Sequence, residues 1–473
     1  MTNKMLKFID IDGKMPSKRD ATDRRDDFSE IYGDYLKDKA NEQASRCSQC
    51  GVPFCQNACP LHNNIPDWLM LTAEGQLQDA YNTAALTNNM PEICGRICPQ
   101  DRLCEGSCVI ETSGHGTVTI GAVERYLTDM AWDEGWVEPL APVQERPLSV
   151  GIIGAGPAGL AAAEMLRMQG WQVTVYDRHD RAGGLLIYGI PNFKLEKSIV
   201  ERRVKRLADG GIEFVLNTEI GKDISFETLQ AKHQAILMAV GVYNARALSV
   251  PGCGADGVIE ALPYLINSNR RGLGDKVASE TAKGKHVVVI GGGDTAMDCV
   301  RTAVREGAKS VSCMYRRDEI NMPGSARETN NAKEEGVHFE WLASPKAIHD
   351  TDGKASSVRT ARMRLGQKDA SGRQSFSVIK GADFDMKADM VIQALGFMPE
   401  DMEAICPDLK LTRWNTIKTH PTKFETSVEG VYAAGDIVRG ASLVVWAIRE
   451  GRDAAAAMHA QLTAQLLLAD AAE

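Results

Sequence analysis

The sequence contains no long hydrophobic run. None of its 473 residues lies in an apolar stretch of about 20 residues, the length that a transmembrane helix needs. The first residues, MTNKMLKFIDIDGKMPSKRD, are charged throughout and lack the apolar segment of a signal peptide. We therefore expect a cytoplasmic protein that does not bind a membrane.

An excess of positive charge is also missing. The chain has 54 Lys and Arg against 63 Asp and Glu, a net charge of −9, so no sequence-wide basic field attracts nucleic acid. Hydrophobic residues make up 44% of the chain, enough for ordinary cores. A length of 473 residues predicts about three domains, so we expect a multidomain globular protein without a nucleic-acid partner.

Cysteine is sparse outside one segment. Four of the 12 cysteines stand singly, and we interpret them as packing residues: Cys253, Cys299, Cys313 and Cys406. The other eight lie between Cys47 and Cys108. In a cytoplasmic chain, such a density favours metal ligation over disulfide bonds.

These eight cysteines form two runs of four. The runs are Cys47-x2-Cys50-x4-Cys55-x3-Cys59-Pro60 and Cys94-x3-Cys98-x5-Cys104-x3-Cys108. Closely spaced thiolates are the soft ligands of iron–sulfur clusters, and a terminal Cys-Pro is typical of ferredoxins in which the last cysteine ligates the other cluster. Zinc is the alternative metal, but zinc ribbons usually have two short pairs of ligands.

A glycine-rich motif lies between a predicted strand and a predicted helix. Gly154-x-Gly156-x-x-Gly159 follows the strand VGII and opens the helix at Pro157, and the next strand ends at Asp177, 23 residues after Gly154. Such glycines permit a tight turn and close approach to a pyrophosphate at the helix N-terminus. A carboxylate at the end of the second strand suits a ribose diol and repels a 2′-phosphate, which favours FAD or NAD.

A second motif of this kind occurs later in the chain. Gly291-x-Gly293-x-x-Ala296 follows KHVVVI, and the next strand, SVSCMY, ends at Arg316 and Arg317. Guanidinium groups at this point match a 2′-phosphate, so NADPH is preferred over NADH.

Two further positions belong to these nucleotide sites. Asp294 and Thr295 begin the second helix, where we expect them to cap it and to face the nicotinamide. Gly435 and Asp436 lie between a strand and a helix, as in flavoproteins where the Asp binds the ribityl chain. No Cys-x-x-Cys pair accompanies either nucleotide motif, so the cysteine-rich segment is the expected exit for electrons.

Several segments together resemble a known family. They are CSQCGVPFCQNACP, CGRICPQDRLCEGSC, GAGPAGL, RAGGLLIYGIPNFKL, GGGDTAMDC, YRRDEINMPG and YAAGDIVRGASLVVWAIREGR. Over nearly its full length the sequence resembles the small (β) subunit of bacterial NADPH-dependent glutamate synthase, EC 1.4.1.13. The N-terminal half of dihydropyrimidine dehydrogenase and the larger subunit of NADH-dependent ferredoxin:NADP oxidoreductase are similar.

The resemblance implies two [4Fe-4S] clusters with interleaved ligands. The first cluster would take Cys47, Cys50, Cys55 and Cys108, and the second would take Cys59, Cys98, Cys104 and Glu124. Glu124 lies where dihydropyrimidine dehydrogenase has a Gln ligand. Spacing alone nominates Cys94 instead, because a thiolate is the softer iron ligand.

The resemblance also implies which residues contact the nucleotides. For the segments RAGGLL and YGIP, the resemblance is the only basis for the assignment. The FAD-binding residues would be Gly154, Ala155, Gly156, Pro157, Gly159, Asp177, Gly183, Gly184, Leu185, Gly189, Pro191, Gly435, Asp436 and Val445. The NADPH-binding residues would be Gly291, Gly293, Asp294, Thr295, Ala296, Arg316 and Arg317. No side chain is expected to act as a catalytic acid or base, since hydride transfer depends on the positions of the two cofactors.

The resemblance further implies a reaction and a partner. NADPH would reduce FAD, and electrons would pass through the clusters to a large (α) subunit that carries glutaminase and FMN sites. That subunit, in a hetero-oligomer, would make two L-glutamate from L-glutamine and 2-oxoglutarate. The alternatives are a ferredoxin-linked or bifurcating NADPH oxidoreductase subunit, and a zinc-stabilised nucleotide-binding regulator.

The expected fold class is α/β, with a helical N-terminal iron–sulfur domain followed by two Rossmann-like domains. We assign residues 1–142 to the iron–sulfur domain, residues 143–250 and 395–473 to the FAD domain, and residues 251–394 to an inserted NADPH domain. AVGVYNAR and ALGFMPE would be the crossing segments. The charged first 45 residues are interpreted as a surface arm or a solvated helix.

Overall fold

The computed structural model describes residues 4–35, 37–369 and 374–470. A helical N-terminal region is followed by two five-stranded parallel sheets and a smaller antiparallel sheet. The predicted α/β fold class, with a helical domain before two dinucleotide-binding folds, is confirmed. Within the described ranges, no helix has the length and apolarity that crossing a bilayer requires.

The N-terminal region, which we call the cysteine region, packs its helices around buried aromatic and aliphatic side chains. Trp68 is fully buried and Leu69 is 1% exposed, and three cysteines share their core. Short 3-10 helices lie at Lys7–Ile9, Asp23–Arg25 and Gln100–Arg102. The helices are α1 (Lys37–Ala44), α2 (Phe54–Ala58), α3 (Ile65–Glu74), α4 (Leu77–Ala85), α5 (Pro91–Ile97), α6 (Val109–Thr112) and α7 (Ile120–Asp133).

The first sheet has the strand order β16-β4-β1-β2-β3, all parallel. Its strands are β1 (Ser149–Ile153), β2 (Gln172–Tyr176), β3 (Glu213–Val215), β4 (Ala235–Met238) and, from the end of the chain, β16 (Val431–Ala433). Its helices are α8 (Pro157–Met168), α9 (Leu185–Tyr188), α10 (Lys197–Asp209), α11 (Phe226–Lys232), α15 (Asp436–Arg439) and α16 (Val444–Asp470). The central strands are apolar on both faces because helices cover both sides of a parallel sheet.

The second sheet lies between β4 and β16 in the sequence and has the order β6-β14-β7-β8-β9, also parallel. Its strands are β6 (Val258–Glu260), β7 (His286–Ile290), β8 (Ser310–Tyr315), β9 (His338–Trp341) and β14 (Met390–Gln393). Its helices are α12 (Ala261–Gly272), α13 (Asp294–Arg305) and α14 (Ala326–Glu334).

An antiparallel sheet, which we call the accessory sheet, follows β9. It consists of β10 (Ala343–Thr351), β11 (Lys354–Lys368), β12 (Gln374–Val378) and β13 (Phe384–Lys387). The βαβ pattern of the sequence did not predict this sheet.

Two short strands mark where the chain leaves and re-enters the first sheet. β5 (Asn244–Ala245) pairs antiparallel with β15 (Phe397–Met398). They lie within AVGVYNAR and ALGFMPE, the two predicted crossing segments. The domain limits at residues 142, 250 and 394 remain a prediction.

Residues 4–35 form an extended arm with two short 3-10 helices, and not a solvated helix. Arg24 is 1% exposed and pairs with the fully buried Glu335, the residue that caps the C-terminus of α14. Glu30 pairs with Arg96 of α5. The arm therefore fastens the cysteine region to the second sheet, and charge in the sequence did not mean exposure.

Candidate functional site

The first glycine motif forms a turn between β1 and α8, and only one of its three glycines has free space where a side chain would lie. A Cβ at Gly154, whose φ is +106°, would lie 2.4 Å from the carbonyl oxygen of Ala239. A Cβ at Gly159 would lie 2.0 Å from the oxygen of Gly154. A Cβ at Gly156, beside Pro157 at the start of α8, would meet nothing within 4 Å. The second glycine thus leaves open space in front of a helix N-terminus, where a pyrophosphate binds in such motifs.

Asp177, at the end of β2, joins this turn. Its Oδ2 accepts a hydrogen bond of 2.8 Å from the amide of Ala155, and its Oδ1 accepts one of 2.8 Å from the amide of His179. Burial alone would raise the pKa of Asp177, but hydrogen bonds from the His179 side chain and the two amides outweigh it and lower the pKa. The carboxylate is therefore ionised beside a cavity that Tyr243 also lines.

The RAGGLL loop packs directly against the first turn. The amide of Gly183 donates to the oxygen of Ala155 over 2.8 Å, and a Cβ at Gly184 would lie 2.8 Å from the Cα of Gly156. Leu185 begins α9. Gly189 and Pro191, from the same sequence segment, follow that helix.

The Gly435–Asp436 segment approaches the same turn from the other end of the chain. Gly435 has a φ of +81°, and its amide donates to Glu450 Oε2 over 2.9 Å. Burial raises the pKa of Asp436 to about 6, although hydrogen bonds from Ser442 oppose the shift. Val445, 2% exposed, lies in the first turn of α16. The structure thus brings together the predicted FAD-binding segments around one turn.

The second glycine motif repeats the first between β7 and α13. A Cβ at Gly291 would lie 2.3 Å from the oxygen of Ala394, whereas one at Gly293 would meet nothing within 4 Å. Ala296 is fully buried. This helix N-terminus is therefore open in the same way as that of α8.

The predicted capping of this helix is wrong. The N-cap residue of α13 is Gly293, without a side-chain hydrogen bond, and Asp294 and Thr295 are already helical. The Asp294 carboxylate accepts instead from the amide of Ser325 over 2.9 Å. It ties the loop after β8 to the helix, since serine, aspartate and similar side chains bind nearby amides readily.

Arg316 and Arg317 follow β8 as predicted but differ in environment. Arg316 is exposed, whereas Arg317 is 8% exposed and its Nε donates to the carbonyl of Gln374 over 3.2 Å. Both guanidinium groups lie over the ring of Phe376.

The first group of predicted cluster ligands is Cys47, Cys50, Cys55 and Cys108. Burial raises the pKa of Cys47 to about 11 and that of Cys55 to about 12, and the thiols of Cys108 and Cys50 add to both shifts. The four sulfurs are therefore electrostatic neighbours. The raised pKa values of Cys47 and Cys55 favour their neutral thiols, and positive iron would favour the thiolates.

The second group surrounds a cavity that we call the cysteine cavity. It is lined by Cys59, Cys94, Cys98, Cys104, Glu124 and Val445, among others. Burial raises the pKa of Cys59 to about 11 and that of Glu124 to about 8. Both competing ligands, Glu124 and Cys94, face this cavity. Asn88 joins them: its amide donates to Glu124 over 3.2 Å, and its oxygen lies 3.8 Å from the sulfur of Cys94.

The donor arrangement fits clusters better than single ions. Among the described residues, no three Cys, His, Asp or Glu side chains are arranged around one metal ion. Tetrahedral zinc needs its ligands around a single point, whereas a cubane binds each thiolate at a different iron. Thiols that line a cavity match the second arrangement.

A further cavity lies where the three parts of the molecule meet, and we call it the junction cavity. It is lined by Cys98, Lys194, Asp294, Asp298, Ser442 and Val445, among others. Cys98 and Val445 line the cysteine cavity as well. The first turn of α13, the first turn of α16 and one predicted iron ligand therefore border the same space.

Sequence reasoning missed two lysines near this cavity. Lys194 Nζ donates to Asp298 Oδ1 over 2.8 Å and so joins the first sheet's loop to α13. Burial raises the pKa of Asp298 to about 6, while the ammonium group of Lys194 opposes the shift. Lys197 donates to the carbonyl oxygens of Leu186 and Ile190. Lysines are usually exposed, and nothing in the sequence pattern distinguishes these two.

Two family models match this chain. Residues 24–136 match the family model described as dihydropyrimidine dehydrogenase domain II, 4Fe-4S cluster. Residues 148–451 match the model of pyridine nucleotide-disulphide oxidoreductases. The fold is similar to that of FprA from Mycobacterium tuberculosis in complex with NADPH, with a TM-score of 0.58, 20% identity and coverage of 68% of this chain and 86% of that chain.

Curated relatives match over almost the whole chain. The glutamate synthase [NADPH] small chain of Azospirillum brasilense is 60% identical over 470 residues, 98% of this chain and 97% of that protein. The protein of the same name from Escherichia coli K12 is 45% identical, covering 96% and 98%. The putative oxidoreductase AegA of Escherichia coli K12 is 45% identical over 93% of this chain and 68% of its own length.

The fold and the site define an NADPH-dependent flavin oxidoreductase that carries an iron–sulfur domain. Within that class, the chain belongs to the family of glutamate synthase [NADPH] small chains. The resemblance noted in the sequence is thereby confirmed.

Proposed function

We propose that this NADPH-oxidising chain is the electron-input subunit of a glutamate synthase, with FAD at the first nucleotide site and two [4Fe-4S] clusters in the cysteine region. A large subunit with glutaminase and FMN sites would receive the electrons and make two L-glutamate from L-glutamine and 2-oxoglutarate. The observation that carries the proposal is the wall formed by Cys98 and Val445, which the junction and cysteine cavities share.

The first nucleotide site has the features that FAD requires. The open N-terminus of α8 at Gly156 would receive the pyrophosphate, and the ionised Asp177 would accept from the adenosine ribose. Asp436 would bind a ribityl hydroxyl, and the N-terminus of α16 near Val445 would stabilise negative charge on the reduced ring system. Bound flavin would supply the conversion from two-electron hydride chemistry to single-electron transfer.

The second nucleotide site would hold NADPH. Gly293 leaves the N-terminus of α13 open for the pyrophosphate, and Arg316 and Arg317 lie at the end of the next strand, where a 2′-phosphate binds. Asp294 borders the junction cavity, which the first turn of α16 also lines. This chain's contribution to hydride transfer is the alignment of the two nucleotides, since no side chain needs to move a proton.

The cysteine region would hold the clusters in two interleaved sets. Cys47, Cys50, Cys55 and Cys108 would bind the first, and Cys59, Cys98 and Cys104 would bind the second. We propose Glu124 as the fourth ligand of the second cluster, with Cys94 as the competing residue. Cys104 lies close enough to Cys55 for their charges to interact, which supports two adjacent clusters.

The proposal is tested by anaerobic purification of the native complex, with identification of the partner by mass spectrometry. We expect FAD, about eight irons per chain for two four-iron clusters, and a large amidotransferase chain. The isolated chain should reduce ferricyanide with NADPH, whereas glutamate formation should need the partner.

Two outcomes would contradict the assignment. A ferredoxin-linked flavoprotein as partner would keep the NADPH chemistry and overturn the glutamate synthase pathway. A colourless zinc protein would overturn the redox function altogether.

The variant Val445→Trp tests the proposed route of the electrons. We expect this variant to retain NADPH binding but to slow reduction of the clusters, because the bulky ring would fill space between the junction cavity and the cysteine cavity.

A further inference from the structure

The second nucleotide site is completed by a strand that lies outside its glycine motif. Strand β12 pairs with β11 alone within the accessory sheet, and its residues alternate between half-buried and exposed positions up to Ser377. Because strand side chains alternate between faces, Gln374 and Phe376 share the inward face, and Ser375 and Ser377 share the outward one. The inward face meets the end of β8.

Phe376 contacts both predicted phosphate-binding residues. The guanidinium carbon of Arg316 lies 4.7 Å from the ring centroid, and that of Arg317 lies 5.3 Å from it. Both distances are within the range of cation–π attraction. One aromatic side chain from the accessory sheet thus fixes two adjacent cations at the end of β8.

Gln374 fixes the surroundings of these cations. Its carbonyl accepts from Arg317 Nε over 3.2 Å, and its side-chain oxygen accepts from Asn321 over 2.9 Å. The side chain of Asn321 also donates to Asp318 over 2.6 Å. Strand β12 therefore holds both the arginine pair and the loop that follows it.

The two arginines differ in what they can offer a ligand. Arg317 is 8% exposed and donates into the protein through Nε. Arg316 is exposed and stacks on the ring. Arg317 therefore contributes to contacts within the protein, whereas the guanidinium group of Arg316 is stacked on the ring at an exposed position.

We propose that Phe376 is a positioning residue for recognition of the 2′-phosphate of NADPH, acting through Arg316. The inference deepens the proposed function and depends on the placement of NADPH at the second site. An exposed arginine has many rotamers, and restraint before binding reduces the entropy lost when the guanidinium binds a phosphate. NADH has no 2′-phosphate, so its binding gains nothing from this restraint.

The test is the variant Phe376→Leu in the cofactor-loaded enzyme, with ferricyanide as electron acceptor. We expect the KM for NADPH to rise about fivefold, with the KM for NADH and both kcat values unchanged. Inhibition by 2′,5′-ADP should weaken by a similar factor, and inhibition by 5′-AMP should not change. Phe376→Tyr should restore selectivity for NADPH, because tyrosine keeps the aromatic face.

Two reference variants separate the possible failures. Phe384→Leu removes a ring that stacks at 4.2 Å on a different arginine, Arg362, in the same sheet, and it should leave the NADPH to NADH ratio unchanged. If Arg316→Ala weakens both nucleotides equally, the proposed NADPH site is wrong. If Arg316→Ala is selective while Phe376→Leu leaves the ratio unchanged or raises both KM values equally, the positioning role of Phe376 is overturned.

Discussion

Arg203 and Glu92 form a two-pronged ion pair with both side chains buried. Nε and a terminal nitrogen of Arg203 donate to the two carboxylate oxygens over 2.7 and 2.9 Å, and the side chains are 3% and 0% exposed. The pair joins α10, beside the first sheet, to α5 in the cysteine region. Glu92 lies two residues from Cys94, so this contact helps to fix the cysteine cavity against the flavin domain.

Removal of one member of this pair should be strongly destabilising. We expect Glu92→Gln to lower the free energy of unfolding by about 3 kcal/mol, since it removes the hydrogen-bonded counterion of a buried guanidinium and leaves only Glu164, 3.8 Å away. Urea unfolding followed by tryptophan fluorescence would measure the change. Lys205→Ala breaks an exposed pair with Asp209 on the same helix and should change the free energy by less than about 1 kcal/mol. Equal effects of the two variants would show that the buried pair contributes no more to the free energy of unfolding than the exposed pair does.

The open glycines should control nucleotide binding more than folding. Gly156→Ala and Gly293→Ala place a methyl group where no protein atom lies within 4 Å. We therefore expect near-normal stability but roughly tenfold weaker binding of FAD and of NADPH respectively, since the methyl crowds a bound pyrophosphate. Flavin retention and NADPH titration would measure the two effects. Gly272→Ala, also in open space, should affect neither cofactor, and loss of both cofactors in either motif variant would contradict separate sites.

The buried Lys197 should make stability depend on pH. Burial lowers its pKa to about 7 from 10.5, although the charge of Asp298 opposes the shift. Between these values the unfolded chain binds a proton that the folded chain does not, so this group's contribution to stability rises with pH from about 7 to about 10.5. This contribution to stability is lost as the pH falls to the pKa that Lys197 has in the folded protein, about 7.

The variant Lys197→Met isolates this contribution. We expect the stability of the wild type relative to the variant to be larger at pH 9 than at pH 6.5, measured by urea unfolding in matched buffers. Gly272→Ala, which changes no titratable group, should show no such trend. A difference between wild type and Lys197→Met that does not change with pH would show that Lys197 stays charged when folded.

The fourth ligand of the second cluster can be identified from iron content. We expect Glu124→Ala to lose the second cluster and Cys94→Ser to keep both, as measured by iron analysis and electron paramagnetic resonance after reduction. The opposite result would assign the ligand to Cys94. Cys313→Ser, a buried cysteine in β8, is the control and should retain both clusters.

The sequence predicted the parts of the site that depend on local backbone geometry. Gly154 and Gly291 are required because the chain approaches Ala239 and Ala394 too closely for any side chain. Such restrictions belong to a strand–turn–helix unit, and their spacing is visible in the sequence.

Contacts between distant segments could not be predicted in the same way. Phe376 reaches Arg316 across 60 residues, and Arg24 reaches Glu335 across 311. No periodicity encodes which surface a strand of the accessory sheet or a charged arm will meet. The helix cap expected from Asp294 failed for the same reason, because a competing amide, that of Ser325, comes from another loop.

The edge strand of the first sheet determines the order in which parts of the chain can fold during synthesis. Strand β16 pairs with β4, yet Val431 follows Met238 by 193 positions in the chain. A nascent chain can complete the cores of the cysteine region and the second sheet while β4 still has an unpaired edge, since domains fold as units during translation. The first sheet, where we propose that FAD binds, is therefore completed last, and a ribosome that stalls before residue 431 leaves an exposed strand edge prone to aggregation.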